Sequence, residues 1–152
     1  SYGDFEYFTA GDLTKNPEKR LATGITDVDV YHVNHHGSNA TSSRIEFVTK
    51  LSPEVSIASN GTQHGHPTET VANRLISVDS KFYQTNYNDD KRAHRPDLKY
   101  IADDSNMTAG KNAEQPDGNI IVVVDTVVGD YYVVMPDLLL NEATFPIEVP
   151  AP

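Results

Sequence analysis

Three short segments hold the side chains best suited to chemistry. Thr9-Ala10-Gly11-Asp12-Leu13 offers a carboxylate beside a glycine, His35-His36-Gly37-Ser38 two adjacent imidazoles, and His64-Gly65-His66-Pro67 two more on alternate positions. Carboxylate with imidazole is a ligand set for zinc, iron or manganese, and imidazole also moves protons near neutral pH. Glycines next to Asp12 and His36 allow tight turns that can aim those side chains. Each segment also has an ordinary reading. An aspartate after a strand is often a turn former or a cap. A histidine pair in a loop is often just exposed. The His-x-His pair is followed directly by proline, with no third ligand close by. Ser38 and Ser43 raise a serine-hydrolase reading, but the strand–elbow–helix pattern such a nucleophile needs is missing.

The elements that must position these residues read as alternating strands and helices. Residues 5–9 form an aromatic-rich strand ending at Gly11 and Asp12. Asn16-Pro17-Glu18 reads as a helix start, with Asn16 as the cap, and that helix stops by Gly24. Asp29–Val33 is a second strand running into the histidine pair. Ser43-x-x-Glu46 reads as a capping box for a helix carrying Ile45, Phe47, Val48 and Leu51. A third strand at 54–59 ends in Asn60-Gly61. Pro67 then opens a helix with Val71, Ala72, Leu75 and Ile76 on one face, and a fourth strand follows at 82–85. This alternation predicts an α/β fold of βαβ units on a mainly parallel sheet. Ligands in such sheets bind outside the carboxyl ends of the strands, where all three segments fall. Segments 119–125 and 131–135 read as a closing hairpin around Gly129. The stretch 86–118 between is long and polar for a connection, so it reads as an insertion. The organisation expected is a domain over 1–136 and a proline-rich tail over 137–152 that wraps the surface or leads to a neighbour.

Taken in order, TAGDL, VYHVNHHGSNATSS, FVTKLSPEVSIASNG and GHPTETVANRL resemble the metallo-β-lactamase fold, and more closely the hydrolase domain of ComEC-type DNA-uptake proteins. The phosphorylcholine esterases of bacterial cell walls are similar to the same branch. The resemblance covers residues 5–85 well and 118–135 loosely. It implies an αββα sandwich with two divalent metal ions, zinc or manganese, between its sheets. It implies that Asp12 and His36 are metal ligands. His35 would face the substrate as a charge-stabilising or proton-donating residue, and His66 would stand at the active-site rim. The chemistry implied is hydrolysis by a two-metal-activated water, with a phosphodiester as the substrate, either nucleic acid or a phosphorylated wall component.

The sequence departs from that family in one large respect. The His-x-His-x-Asp-His motif and the separate histidine expected before TAGD are not in it. The chain is thus expected to be the C-terminal half of the domain, with the N-terminal half as its missing partner. Alone it should bind metal weakly or not at all and show little hydrolase activity. A half-sandwich would leave a face uncovered, which also suggests self-association, or a non-catalytic interaction module that retains the fold half. The basic run Lys91–Lys99 reads as a solvated charge cluster rather than a substrate-gripping loop.

Composition sets the outer bounds. The chain has 152 residues, a net charge of −10 and no cysteine, which excludes disulfides and thiolate metal sites. The first 100 residues are nearly balanced, with 13 acidic and 11 basic side chains; the remainder has nine acidic and only Lys111 basic. That field disfavours broad nucleic-acid binding unless metal ions supply positive charge. No apolar run approaches the roughly 20 residues of a membrane helix, and the first residues lack the pattern of a signal peptide. The compartment stays open between a bacterial cytoplasm and export.

Overall fold

Val55-Ser56-Ile57-Ala58 is buried along its whole length, as a strand covered on both faces must be. The computed structural model shows what covers it, and describes residues 1–61, 64–88, 90–97, 100–102, 118–135 and 142–146. The elements are β1 (Tyr7–Phe8), α1 (Lys15–Leu21), β2 (Val30–His32), α2 (Ile45–Leu51), β3 (Val55–Ala58), α3 (Glu69–Ile76), β4 (Lys81–Gln84), β5 (Ile121–Asp125), β6 (Asp130–Val134) and β7 (Glu142–Pro146). A tight turn at Asn34–Gly37 separates β2 from α2.

Among the described residues, β1 to β4 form a parallel sheet in sequential order, and β5 to β7 a separate antiparallel sheet. The expected α/β fold of βαβ units with a closing hairpin is what forms. Side-chain alternation sorts the two cores. Tyr31, Phe47, Val48, Leu51, Val71 and Leu75 pack on the helical side of the parallel sheet. Val30, Val55, Ile57 and Tyr83 face the other way and meet Tyr131, Val133 and Met135 of the antiparallel layer. Phe5 and Tyr131 join the two sheets edge to face at 5.2 Å.

Several boundaries differ from the sequence reading, each for a local reason. Helix α1 starts a residue before Asn16, with Thr14 at its cap, so Pro17 lies inside the first turn. The Ser43–Glu46 capping box does not form. Ser43 has φ +54 and is buried, and Arg44 takes the cap position without a side-chain bond. Pro67 stands before the cap Thr68 rather than inside α3. Ile45 and Ile76 are exposed, so each helix buries a narrower stripe than expected. Residues 142–146, read as part of a surface tail, pair with β6 as a third antiparallel strand. Most of the polar stretch 86–118 lies outside the described residues. Its described beginning is docked: His94 N–H donates to Pro67 O at 2.7 Å, and Asn88 Nδ2 donates to His66 O at 3.0 Å. In its basic part, Arg92 pairs with Asp90 at 2.6 Å and His94 with Glu69 at 2.9 Å. No helix among the described residues is long and apolar enough to cross a membrane.

Candidate functional site

The loops after β1, β2 and β3 converge at one end of the parallel sheet. The turn after β2 does so through an uncommon backbone. His35 and His36 have φ of +50 and +54, and Gly37 has +81, giving three consecutive left-handed residues. Two are not glycine, and such conformations cost about 1–3 kcal/mol each unless their surroundings fix them. The surroundings here do so. His35 N–H donates to Gly11 O at 2.9 Å, tying the turn to the Asp12 loop. Gly37 lies so close to Pro67 that an added Cβ would stand 2.5 Å from Pro67 Cβ. Thr68 N–H donates to Gly37 O at 3.0 Å. The HHGS and GHP segments are therefore packed face to face, and only glycine fits between them.

Asp12 and His36 meet at this junction, with His36 Nε2 3.9 Å from Asp12 Oδ1, both side chains well exposed. The other ring nitrogen, His36 Nδ1, is 2.7 Å from Ser59 O, just past β3. A carbonyl only accepts, so Nδ1 carries the proton and the Nε2 lone pair faces Asp12. That is how metal-ligating histidines are held, by a backbone carbonyl behind the ring. Two ligands about 2.1 Å from a shared ion can stand up to about 4 Å apart, so the separation suits one ion between them. Among the described residues no group of three or more histidines and carboxylates could hold a metal. The pair fits part of a metal shell and not a whole one.

The other two expected site residues stand nearby. His35 turns away from His36, its ring at 81° and 6.4 Å, with Nδ1 3.0 Å from Thr41 Oγ1. His66 lies within electrostatic reach of His35, His36, His64 and Arg92. Burial, and then those positive neighbours, hold its pKa below the usual imidazole value. Its Nδ1 is sealed from solvent without a hydrogen-bond partner among the described residues. Ser38 and Ser43 are both buried, and the Ser43 hydroxyl meets the Tyr31 phenol rather than an imidazole.

One participant escaped the sequence reading. His32, the last residue of β2, bridges Thr9 Oγ1 at 3.1 Å and Ser59 Oγ at 2.9 Å, so it ties together the ends of three strands. Burial, then the nearby His36, lowers its pKa. Strand alternation held the signal, because His32 shares a face with Val30, away from the helices. Beside it lies a cavity of about 370 Å³, walled by Phe5 and Tyr7 from β1 and its approach, Ile57, and Val122 and Val124 of β5.

Comparison with known proteins gives a narrow result. No family model matches the chain. Over 88 residues, 55% of the chain, it is 35% identical to the Competence protein ComA of Neisseria gonorrhoeae. The matched stretch is 13% of that protein's length, so the chain spans only a small part of it.

Proposed function

We propose that the chain supplies part of the catalytic centre of a metal-dependent phosphodiester hydrolase of the metallo-β-lactamase kind, in the ComEC-type branch. The observation that supports it is the Asp12–His36 pair, 3.9 Å apart, with the His36 Nδ1 proton committed to Ser59 O. The partial likeness to a competence protein is consistent with that branch. Asp12 and His36 would hold one side of the metal site. Metal bound there would activate water and neutralise charge developing on a phosphoryl oxygen. His35, oriented by Thr41, would assist the oxyanion or the leaving group, and His66 would present a neutral imidazole at the rim. The substrate class is a phosphodiester, in nucleic acid or in a phosphorylated wall component. The acidic C-terminal third weighs towards the smaller substrate.

Two ligands are too few for a two-metal site, so the remaining ligands must come from polypeptide carrying the His-x-His-x-Asp-His set. The edges of the two sheets offer a place for it. Among the described residues β1 and β5 are edge strands, and the cavity lies between them. Tyr7, Ile121 and Val123 are exposed along these edges. The same edges favour a second reading, an interaction module that uses them to hold a partner without catalysis.

The test has two arms. The chain alone should bind Mn²⁺ or Zn²⁺ weakly, and Asp12→Asn or His36→Ala should weaken that binding at least about tenfold, since even outer partners of a ligand are worth that much. The longest product of the gene should hydrolyse a generic phosphodiester with either metal, and Asp12→Asn should abolish it. Equal turnover with and without Asp12 would sink the hydrolase reading and leave the interaction module.

A further inference from the structure

Glu18 is wholly buried, and its carboxylate receives three N–H groups. Oε1 accepts from Asn34 Nδ2 at 3.0 Å and from Ser43 N–H at 2.7 Å, and Oε2 accepts from Arg44 N–H at 3.0 Å. These donors are the two feet of a single loop. Asn34 directly precedes His35 and His36, and Ser43 and Arg44 end the loop where α2 begins. Glu18 itself belongs to α1, the helix that follows Asp12. The carboxylate therefore joins the Asp12 segment to both ends of the histidine loop. Backbone bonds reinforce the same join: Lys15 N–H donates to Thr41 O at 2.8 Å, and His35 N–H donates to Gly11 O at 2.9 Å. From the other side, Arg74 Nη1 donates to Ser43 O at 2.7 Å, and Ser42 Oγ donates to Asn34 O at 2.9 Å.

We infer that Glu18 is a positioning residue, a buried brace that sets the separation of Asp12 and His36 and holds the left-handed His35–His36 turn. This rests on the metal-site reading of that pair. The physical reason lies in what the brace opposes. Two left-handed non-glycine residues relax unless their neighbours over-determine them. A buried carboxylate accepting three N–H bonds is hard to replace, because removing it strands buried donors, including two at the start of α2. An uncharged side chain of similar size cannot serve all three donors. A glutamine in place of Glu18 would turn an amide NH₂ towards at least one of them.

The test compares wild type, Glu18→Ala and Glu18→Gln in the intact 152-residue chain, well below any unfolding transition. One readout needs no metal: the side-chain ¹⁵N signals of His36, which report which ring nitrogen carries the proton. Wild type should show the Nδ1–H form. Glu18→Ala should show averaged signals while amide resonances of β3 and β4 stay in place. The second readout is Mn²⁺ affinity, expected to fall about tenfold in the folded variant. If Glu18→Ala does not fold, Glu18→Gln carries the test, with the same direction and a smaller effect. A folded variant that melts at lower temperature but keeps the His36 signals unchanged overturns the inference and leaves Glu18 a stabilising residue alone. Failure of wild type to bind Mn²⁺ counts against the metal site, whereas the imidazole signals judge Glu18 independently.

Discussion

At the residue scale, the site depends on how few conformations its histidines are allowed. His36 has one ring nitrogen fixed by Ser59 O, His35 one by Thr41, and His32 both. His66 and His32 are held below their ordinary pKa, chiefly by burial. The unfolded chain takes up protons at these positions near pH 6.5, and the folded chain does so only at lower pH. Their contribution is therefore present above about pH 6.5 and is lost below it, as pH falls through the lower folded values. In metal-free protein, urea midpoints should drop between pH 7 and pH 5, and His66→Asn should flatten part of that slope. An identical slope in the variant would show that His66 is not protonated differently on unfolding. Asp12, His35, His36 and His66 stand out in the sequence because glycine and proline mark the turns that carry them. His32 was not, because it sits inside a strand, where a polar residue looks like ordinary alternation.

At the element scale, hydrophobic period placed every helix and strand of the parallel layer, and local capping signals misplaced their ends. The Ser43–Glu46 box is the instructive case. Its pattern is correct, but one of the two N–H groups it would serve, that of Ser43, is taken by Glu18, from another helix 25 residues earlier. A tertiary partner outcompeted the local one, and nothing within the box announces that. Strand β7 was hidden because a short segment between prolines reads as an extended tail until its pairing with β6 is known. Helix α3 shows the limits of a helical-face argument. Leu75 is fully buried, and its neighbour Ile76 is half exposed. Leu75→Ala should cost about 2–5 kcal/mol, and Ile76→Ala should stay within about 0.5 kcal/mol. Urea unfolding of the two variants checks this, and similar losses would put Ile76 in the core.

At the scale of the whole molecule, the parallel sheet is well covered on its helical face, and a cavity lies between the two sheets. Edge strands with exposed apolar residues invite pairing with other chains, and natural proteins usually blunt them. Here Tyr7, Ile121 and Val123 leave the β1 and β5 edges unblunted among the described residues. Sedimentation of the chain should show concentration-dependent association, and Val123→Lys should suppress it. A monomer at every concentration in wild type would argue that these edges need no partner. The sequence predicts edge strands only as a class, from its alternation of strands and helices. It does not say which strands lie at the edges, because strand order is decided by packing rather than by local pattern.

The contact between Gly37 and Pro67 has a consequence for anyone who recombines such proteins. Their two segments are 30 positions apart in the chain but interlock in space. A library that exchanges one segment for a counterpart with a bulkier residue would jam the joint. Crossovers that carry both segments together would preserve it, so the two behave as a single transferable part whose halves happen to be written separately.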